Sequence, residues 1–364
     1  MRRCTRCVLP QTYPGITFNA DGVCNYCLDF GEDTPRGEEE LRAVIRQHQG
    51  HGRDYDCLVA LSGGRDSTYT LYYATKVLGL RVLAFTIDNG FLPPETRENI
   101  QNAIGILGVD HVVEKHDLSK QNLRPILLAW LHRPSPAMIP TLCVGCRLAL
   151  YRGYLQTAKR YQIPLLLTGS GEPETSFATK FFSSSPSPTR RMMGLASGMT
   201  LEVIKNPRYL MKPTLPYYML MEYMYAFNPV PTMQNLIYPE IQLVRLFEYI
   251  RWDEQQIMTL IQSELKWKNY SYSQSAWRSD CKINLLRNHL YKQTLGFTKN
   301  EELVSNLIRL GKIGREEGLA RVEREGIVPE QFLREFFEEI RLPYDAYERS
   351  LPRMRERLNA IEVT

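Results

Sequence analysis

The sequence contains no apolar run long enough to cross a membrane. Its longest, YYMLMEYMYAF at 217–227, holds Glu222 and is bracketed by prolines, well short of the roughly 20 apolar residues that a span requires. An export signal is lacking too, because MRRCTRCVLPQTYPG is interrupted by cysteines and prolines within its first turns. A cytoplasmic protein without a membrane partner is expected. Charge of one sign is also scarce: a formal net charge of +5 suits a phosphate-bearing ligand or an RNA but is far from the dense basic stripe of a dedicated nucleic-acid binder. There is no internal repeat and no G-x4-G-K-[ST] loop. Without secretion, the eight cysteines are expected as metal ligands or catalytic thiols rather than disulfides.

Four of those cysteines open the chain. Cys4, Cys7, Cys24 and Cys27 are spaced C-x2-C-x16-C-x2-C, so each pair can present two thiolates to one cation from a tight knuckle. VLPQTYPGITFNADGV between them has strand and turn chemistry, with Asn19, Asp21 and Gly22 at the bend. A structural Zn²⁺ in a zinc ribbon is expected over 1–30.

Residues 31–54 are charged and helix-prone, a linker with one surface helix. The pattern then changes. In YDCLVALSGGRDSTYTLYYATKVLGLRVLAFTIDNGF an apolar strand enters a glycine-rich turn, a helix follows to about Gly79, and a second apolar strand at 82–87 ends in DNG. A helix at 95–107, a strand at HVVEKHD, helices around 118–131 and 144–161 and a strand at PLLLTGSGE continue the alternation. Continuous apolar strands between helices predict an α/β fold with a doubly wound parallel sheet, its ligands at the carboxyl ends of the strands. The site is therefore expected at SGGRDS, DNG and TGSGE. Residues 175–200, rich in Ser and Pro and carrying Lys180, Arg190 and Arg191, read as a mobile loop, and the chain beyond 240 as mostly helical.

SGGRDS has the chemistry of an anion cradle. Gly63 and Gly64 let backbone N–H groups approach a phosphate, Ser62 and Ser67 add hydroxyls, and a helix N-terminus follows. These residues with Asp66 match the SGGxDS signature, and here the sequence resembles the PP-loop ATP pyrophosphatase superfamily. The resemblance implies ATP cut between its α and β phosphates, pyrophosphate held by Ser62, Gly63, Gly64, Arg65, Asp66 and Ser67, Mg²⁺ placed with the help of Asp66, and a nucleotide near Asp88 and Gly169. Arg65 stands where the superfamily usually has lysine, a cation expected to contact phosphate with different geometry. Adenylation turns a poor oxygen leaving group into AMP, and the nucleophile that displaces it is either sulfur or ammonia.

Cys143 and Cys146 in TLCVGC, together with Cys281 in WRSDCKIN, resemble the cysteine pattern of the tRNA 2-thiolation enzymes of this superfamily. That resemblance implies a [4Fe-4S] cluster on three thiolates, with sulfide or a sulfur-carrier protein as donor and a tRNA or small molecule as acceptor. Glu172 and Glu174 stand in place of the acidic residues of the family's T-G-H-N-x-D-D, as candidate catalytic or Mg²⁺-binding groups. A core role or a second zinc for the three cysteines remains open. A second resemblance, carried by CTRCVLPQTYPGITFNADGVCNYC, YDCLVALSGGRDST and LIRLGKIGREEGLARVEREG, is to the N-acetyl sugar amidotransferases, and implies an amidine made with ammonia from a separate glutaminase partner. Sulfur insertion is the favoured reading, the amidotransferase its alternative, and a non-catalytic nucleotide- or RNA-binding module the third.

The expected organisation is a zinc ribbon at 1–30, a linker and helix at 31–54, a PP-loop domain at 55–205 and a mostly helical region at 206–364. His111 and His116 read as satisfied structural side chains. The Met and Tyr stripe at 217–227 reads as core or as a subunit interface, compatible with a homodimer. Trp267, Tyr270, Tyr272 and Trp277 read first as packing of the helical region.

Overall fold

Five strands form an all-parallel sheet in the order β3-β2-β1-β4-β5: β1 is Cys57–Ala60, β2 Val82–Asp88, β3 Asp110–Lys115, β4 Leu165–Thr168 and β5 Gln242–Arg245. The computed structural model describes residues 1–31, 34–51, 53–169, 180–182, 188–212, 214–218 and 237–362. Cys57 pairs with Val82 on one side and Leu165 on the other, so β1 lies at the sheet's centre and the strand order reverses beside it.

The three inner strands, β1, β2 and β4, are almost continuously apolar because both of their faces are covered, whereas the edge strands β3 and β5 carry polar, exposed positions. Cys57, Val59, Val82, Ala84, Leu165 and Leu167 point to one side, where helices Glu38–Arg46, Arg65–Tyr72, Pro94–Leu107 and Glu254–Leu265 cover them. Leu58, Leu83, Phe85, Ile87 and Leu166 point to the other, under helix Cys146–Arg160. This two-residue alternation with no polar face is what a doubly wound parallel sheet requires.

Two segments differ from the sequence expectation. The α-helix Pro188–Lys205 begins inside the stretch expected to be a loop and runs past its end; it buries Leu195 and packs Val203 on the core, and its apolar spacing outweighs the Ser and Pro content before it. β5 lies beyond residue 205 and adds to the sheet next to β4, so the sheet draws on the region expected to be helical. Most of the 217–227 stripe, and Glu172 and Glu174, lie outside the described residues. Among the described residues no helix is long and apolar enough to cross a membrane.

A third core joins the two ends of the chain. The four N-terminal cysteines, Leu9 and Tyr13 share it with helices Leu118–His132, Lys282–Leu295 and Glu330–Glu339. Tyr13 Oη donates to Glu302 at 2.5 Å and Thr12 Oγ1 to the Leu295 carbonyl at 2.6 Å.

Candidate functional site

The SGGRDS loop, expected to hold phosphate, connects β1 to helix Arg65–Tyr72 at the carboxyl edge of the sheet, beside the point where strand order reverses. Gly63 sits at φ +79, and a Cβ there would lie 2.8 Å from Ile100 Cγ1 and from the Thr96 carbonyl oxygen; both the conformation and the space demand glycine. Gly169, just after β4, is equally tight, since a Cβ would lie 2.7 Å from the Asp66 carbonyl oxygen. The ends of β1 and β4 therefore meet at the helix N-terminus. Ser62 Oγ and Ser67 Oγ lie 3.0 Å apart, and Ser67 Oγ donates to the Gly64 carbonyl at 3.0 Å, so the hydroxyls hold the loop in shape.

Arg65 corrects a sequence expectation. Its side chain is 1% exposed and committed to carboxylates: Nε donates to Asp66 at 3.0 Å and Nη1 to Glu254 at 2.5 Å. The guanidinium also lies over the Trp252 ring, 4.9 Å from its centroid. The cation at this position pins the loop from beneath, because a buried guanidinium must find carboxylate partners. Asp66 is engaged in the same network, its Oδ1 accepting from Arg65 and, at 3.0 Å, from Trp252 Nε1. Trp267, buried as packing would have it, also donates from Nε1 to the Gly63 carbonyl at 3.0 Å. Burial pushes the Glu254 carboxyl up, but the Arg321 hydrogen bonds and the charges of Arg65 and Arg321 outweigh it and hold the group below the ordinary glutamate range.

At the end of β2, Asp88 accepts from the Gly90 N–H at 2.9 Å and from both terminal nitrogens of Arg97 at 2.9 and 3.2 Å. Burial opposes ionisation of Asp88, yet the Arg97 fork and the Gly90 amide keep it below the usual carboxylate range. The next residue, Asn89, lies in the DNG segment expected to border the site, without a role assigned to it there, and it touches two of the internal cysteines. Its Nδ2 lies 3.6 Å from Cys146 Sγ and 3.5 Å from Cys281 Sγ. Arg287 Nη1, on helix Lys282–Leu295, lies 3.3 Å from Cys143 Sγ. Burial first, then the neighbouring Cys146 and Cys143, push the Cys281 thiol well up.

The segment carrying Cys281 also touches the phosphate loop. Arg278 holds φ +52, a conformation costly for a side chain with a Cβ by about 1 kcal/mol, and its carbonyl accepts from Asn284 Nδ2 at 2.9 Å. The turn directs Asp280 onto Gly64 and Cys281 onto Asn89, while the Lys282 N–H donates to the Phe91 carbonyl at 3.0 Å.

The four N-terminal thiols are buried and all lie within 4.8 Å of one another. Cys4 to Cys27 is 3.9 Å and Cys7 to Cys24 is 3.8 Å. A tetrahedral ion with bonds of about 2.3 Å would separate its sulfurs by about 3.8 Å, so the site fits one zinc-sized cation. Backbone N–H groups of Cys7 and Cys24 point at Cys4 Sγ, and Arg309 reaches Cys27 Sγ at 3.4 Å and Cys7 Sγ at 3.6 Å, offsetting thiolate charge. Among the described residues no second group of three such ligands lies as close together.

The two histidines and Lys180 have structural partners. His111 Nε2 pairs with Thr86 Oγ1 at 2.9 Å, and His116 Nδ1 accepts from the Leu118 N–H at 3.3 Å. Lys180 lies over the Tyr26 ring at 4.3 Å and lines a cleft of about 560 Å³ with Tyr13, Arg309 and Glu302. Arg190 is exposed.

No family model matches the sequence. An uncharacterised protein of Methanocaldococcus jannaschii is 27% identical over 119 residues, 32% of this chain and 43% of that protein. GMP synthase (glutamine-hydrolysing) of Pyrobaculum aerophilum is 30% identical over 80 residues, 22% of this chain and 16% of that protein. The chain thus spans less than half the length of either curated relative. Among solved structures, U34-tRNA thiolase NcsA from Methanococcus maripaludis with its [4Fe-4S] cluster covers 91% of this chain and 90% of its own at 14% identity and a TM-score of 0.36. NMN synthetase from Francisella tularensis covers 78% and 87% at 12% identity and a TM-score of 0.38. The SGGRDS loop lies in the first βα turn of the parallel sheet, the place where the sequence resemblance to the PP-loop ATP pyrophosphatases puts a phosphate loop.

Proposed function

We propose that the chain is an AMP-forming, ATP-using sulfurtransferase that adenylates a carbonyl-type oxygen of its acceptor and replaces it with sulfur. The observation that carries this reading is the convergence of Cys143, Cys146 and Cys281 on Asn89 and Arg287, next to a segment that rests on the phosphate loop. Cys281 comes from a segment more than 130 residues beyond the C-x2-C pair, and although Cys143 and Cys281 also pack against the core, their sulfurs face a polar amide and a guanidinium beside the loop. An ammonia-using amidotransferase has no use for them.

In this reading the loop N–H groups and Ser62 bind pyrophosphate, which departs as the acceptor oxygen attacks the α-phosphate. Acceptor carbon and oxygen are then joined to AMP, and attack by sulfide at that carbon expels AMP with the oxygen, leaving a carbon–sulfur double bond. Cys143, Cys146 and Cys281 would hold a [4Fe-4S] cluster, which when bound supplies an iron position open to sulfide because the protein provides three thiolates. Asn89 orients two of those thiols, and Arg287 places a buried positive charge beside the third. The N-terminal thiolates hold Zn²⁺ as a structural ion, and tRNA or a small molecule is the acceptor.

The experiment is metal and sulfide analysis of protein purified without oxygen. Expected are about four iron and four sulfide per chain, as a [4Fe-4S] cluster requires, beside zinc, with iron lost and zinc retained in Cys281→Ala. Zinc alone, after reconstitution also fails, overturns the sulfur reading in favour of the amidotransferase with a glutaminase partner.

A further inference from the structure

Helix Pro188–Lys205 carries apolar residues on both sides. One side faces the protein: Leu195 is buried, Val203 packs on the core, and Gly198 lies so close to Phe182 that no side chain fits there. The other side holds Met193, Leu201 and Ile204, which are 68%, 50% and 68% exposed. At about 100° per residue, Ala196, Ser197 and Thr200 fall on the same arc, so between 193 and 204 the outward face has no charged side chain. The short helix Pro207–Leu210 packs on the end of this one, and exposed apolar side chains continue at Leu210 and Met211.

This stripe is suited to losing water. Ser197 Oγ donates to the Gly194 carbonyl at 3.2 Å and Thr200 Oγ1 to the Ala196 carbonyl at 2.8 Å, so neither hydroxyl proton is stranded when the face is covered. At roughly 100 Å² for each of the five large side chains, about 500 Å² of apolar surface is open, more than half of the area that one partner contributes to a stable interface. A membrane-surface helix would edge such a face with lysines and arginines. Here Lys205 is paired with Glu202 at 3.3 Å, and Arg190 stands at the far end.

The face also complements itself. Met193 and Ile204 stand equally far from the helix midpoint, between residues 198 and 199, as do Ala196 and Leu201, and Ser197 and Thr200. Two such helices laid antiparallel about a two-fold axis at that midpoint bring Met193 of each copy onto Ile204 of the other. Leu201 then fills the space over Ala196, and the small pair in the middle lets the axes approach to about 8 Å.

We propose that this stripe is the interface of a homodimer, in which helix Pro188–Lys205 packs antiparallel on the same helix of a second copy. The proposal is independent of whether sulfur or ammonia is the nucleophile.

The test is sedimentation velocity on the full chain from about 1 to 100 µM, a range that spans the dissociation constants of a modest interface. Wild type should be a dimer at the upper end. Met193→Asp and Ile204→Lys should each weaken association at least about tenfold, because the two-fold axis buries each unpaired charge twice. Combined in one chain, they should bind at least about fivefold more tightly than either alone, since each new carboxylate then faces the ammonium of the other copy. Within one helix the two positions are about three turns apart and cannot pair. All these positions are exposed in the single chain, so folding is not at stake. Ile106→Lys, at an exposed position of helix Pro94–Leu107, should leave association unchanged. The proposal is overturned by a wild type that stays monomeric throughout, by a dimer indifferent to both single substitutions, by a double variant weaker than either single one, or by an equal loss in Ile106→Lys.

Discussion

Glu254→Gln removes the one negative charge lying between two arginines beneath the phosphate loop. Arg65 Nη1 lies 2.5 Å from one Glu254 oxygen, and Arg321 reaches both, at 2.8 and 2.6 Å. The three side chains are 1%, 19% and 13% exposed, so the network is largely shielded from water. Removing one member of a buried ion pair costs about 3–5 kcal/mol. Because Asp66 still faces Arg65 and Glu325 still faces Arg321, the low end, about 3 kcal/mol, is expected here. With a urea slope of about 3 kcal/mol per M for a chain of this size, the midpoint should fall by about 1 M. Trp252, stacked on Arg65, supplies a fluorescence signal for the transition. The pH dependence has a definite sign. The folded carboxyl lies below its ordinary value of 4.5, so its contribution is complete above that value and disappears as pH falls through the depressed folded one. The gap between wild type and variant should therefore narrow in acid. A loss under about 1 kcal/mol at pH 7, or a gap that stays constant down to about pH 3, would refute the charge network as the loop's foundation.

Gly63→Ala should destabilise the protein by about 2–4 kcal/mol, from a left-handed alanine plus a clash with the Thr96 backbone, and abolish nucleotide binding; melting and calorimetry check both. Stripping the N-terminal metal with a chelator should lower the melting temperature of the shared core in one transition, since Tyr13 and Thr12 tie that module to residues 295–302; two separate calorimetric transitions would contradict this. Asn89→Ala removes the donor shared by Cys146 and Cys281 and should weaken iron retention about 10- to 100-fold, the usual effect of losing a hydrogen bond to a metal ligand, read by chelator competition on reconstituted protein.

What could be read from the sequence was whatever is local. β1, β2 and β4 announce themselves as short apolar runs, and the bend around Asn19 and Gly22 follows from turn chemistry: Asn19 Oδ1 accepts the Val23 N–H at 2.8 Å, and Gly22 sits at φ +76. β5 escaped because only Val244 of its four residues is buried, too little for a two-residue period to stand out. Arg65 was misread for a different reason. Its local setting is that of a phosphate ligand, and the carboxylate that turns it away is 189 residues distant in sequence. Asn89 and Asp280 are ordinary polar residues in isolation, and their importance lies in neighbours supplied by other loops. Charge compensation between remote segments leaves no periodic trace.

The supports of the phosphate loop bear on how the protein is made. Residues 62–67 are held by Trp252, Glu254 and Trp267, partners that follow their contacts by 186, 189 and 204 positions. At about 5–20 residues per second, translation delivers those supports roughly 10–40 seconds after the loop has left the ribosome. During that interval the nascent chain carries a glycine-rich turn with an unclamped arginine and no closed sheet beside it. The loop therefore reaches its final shape only late in synthesis, once residues 252–267 have emerged.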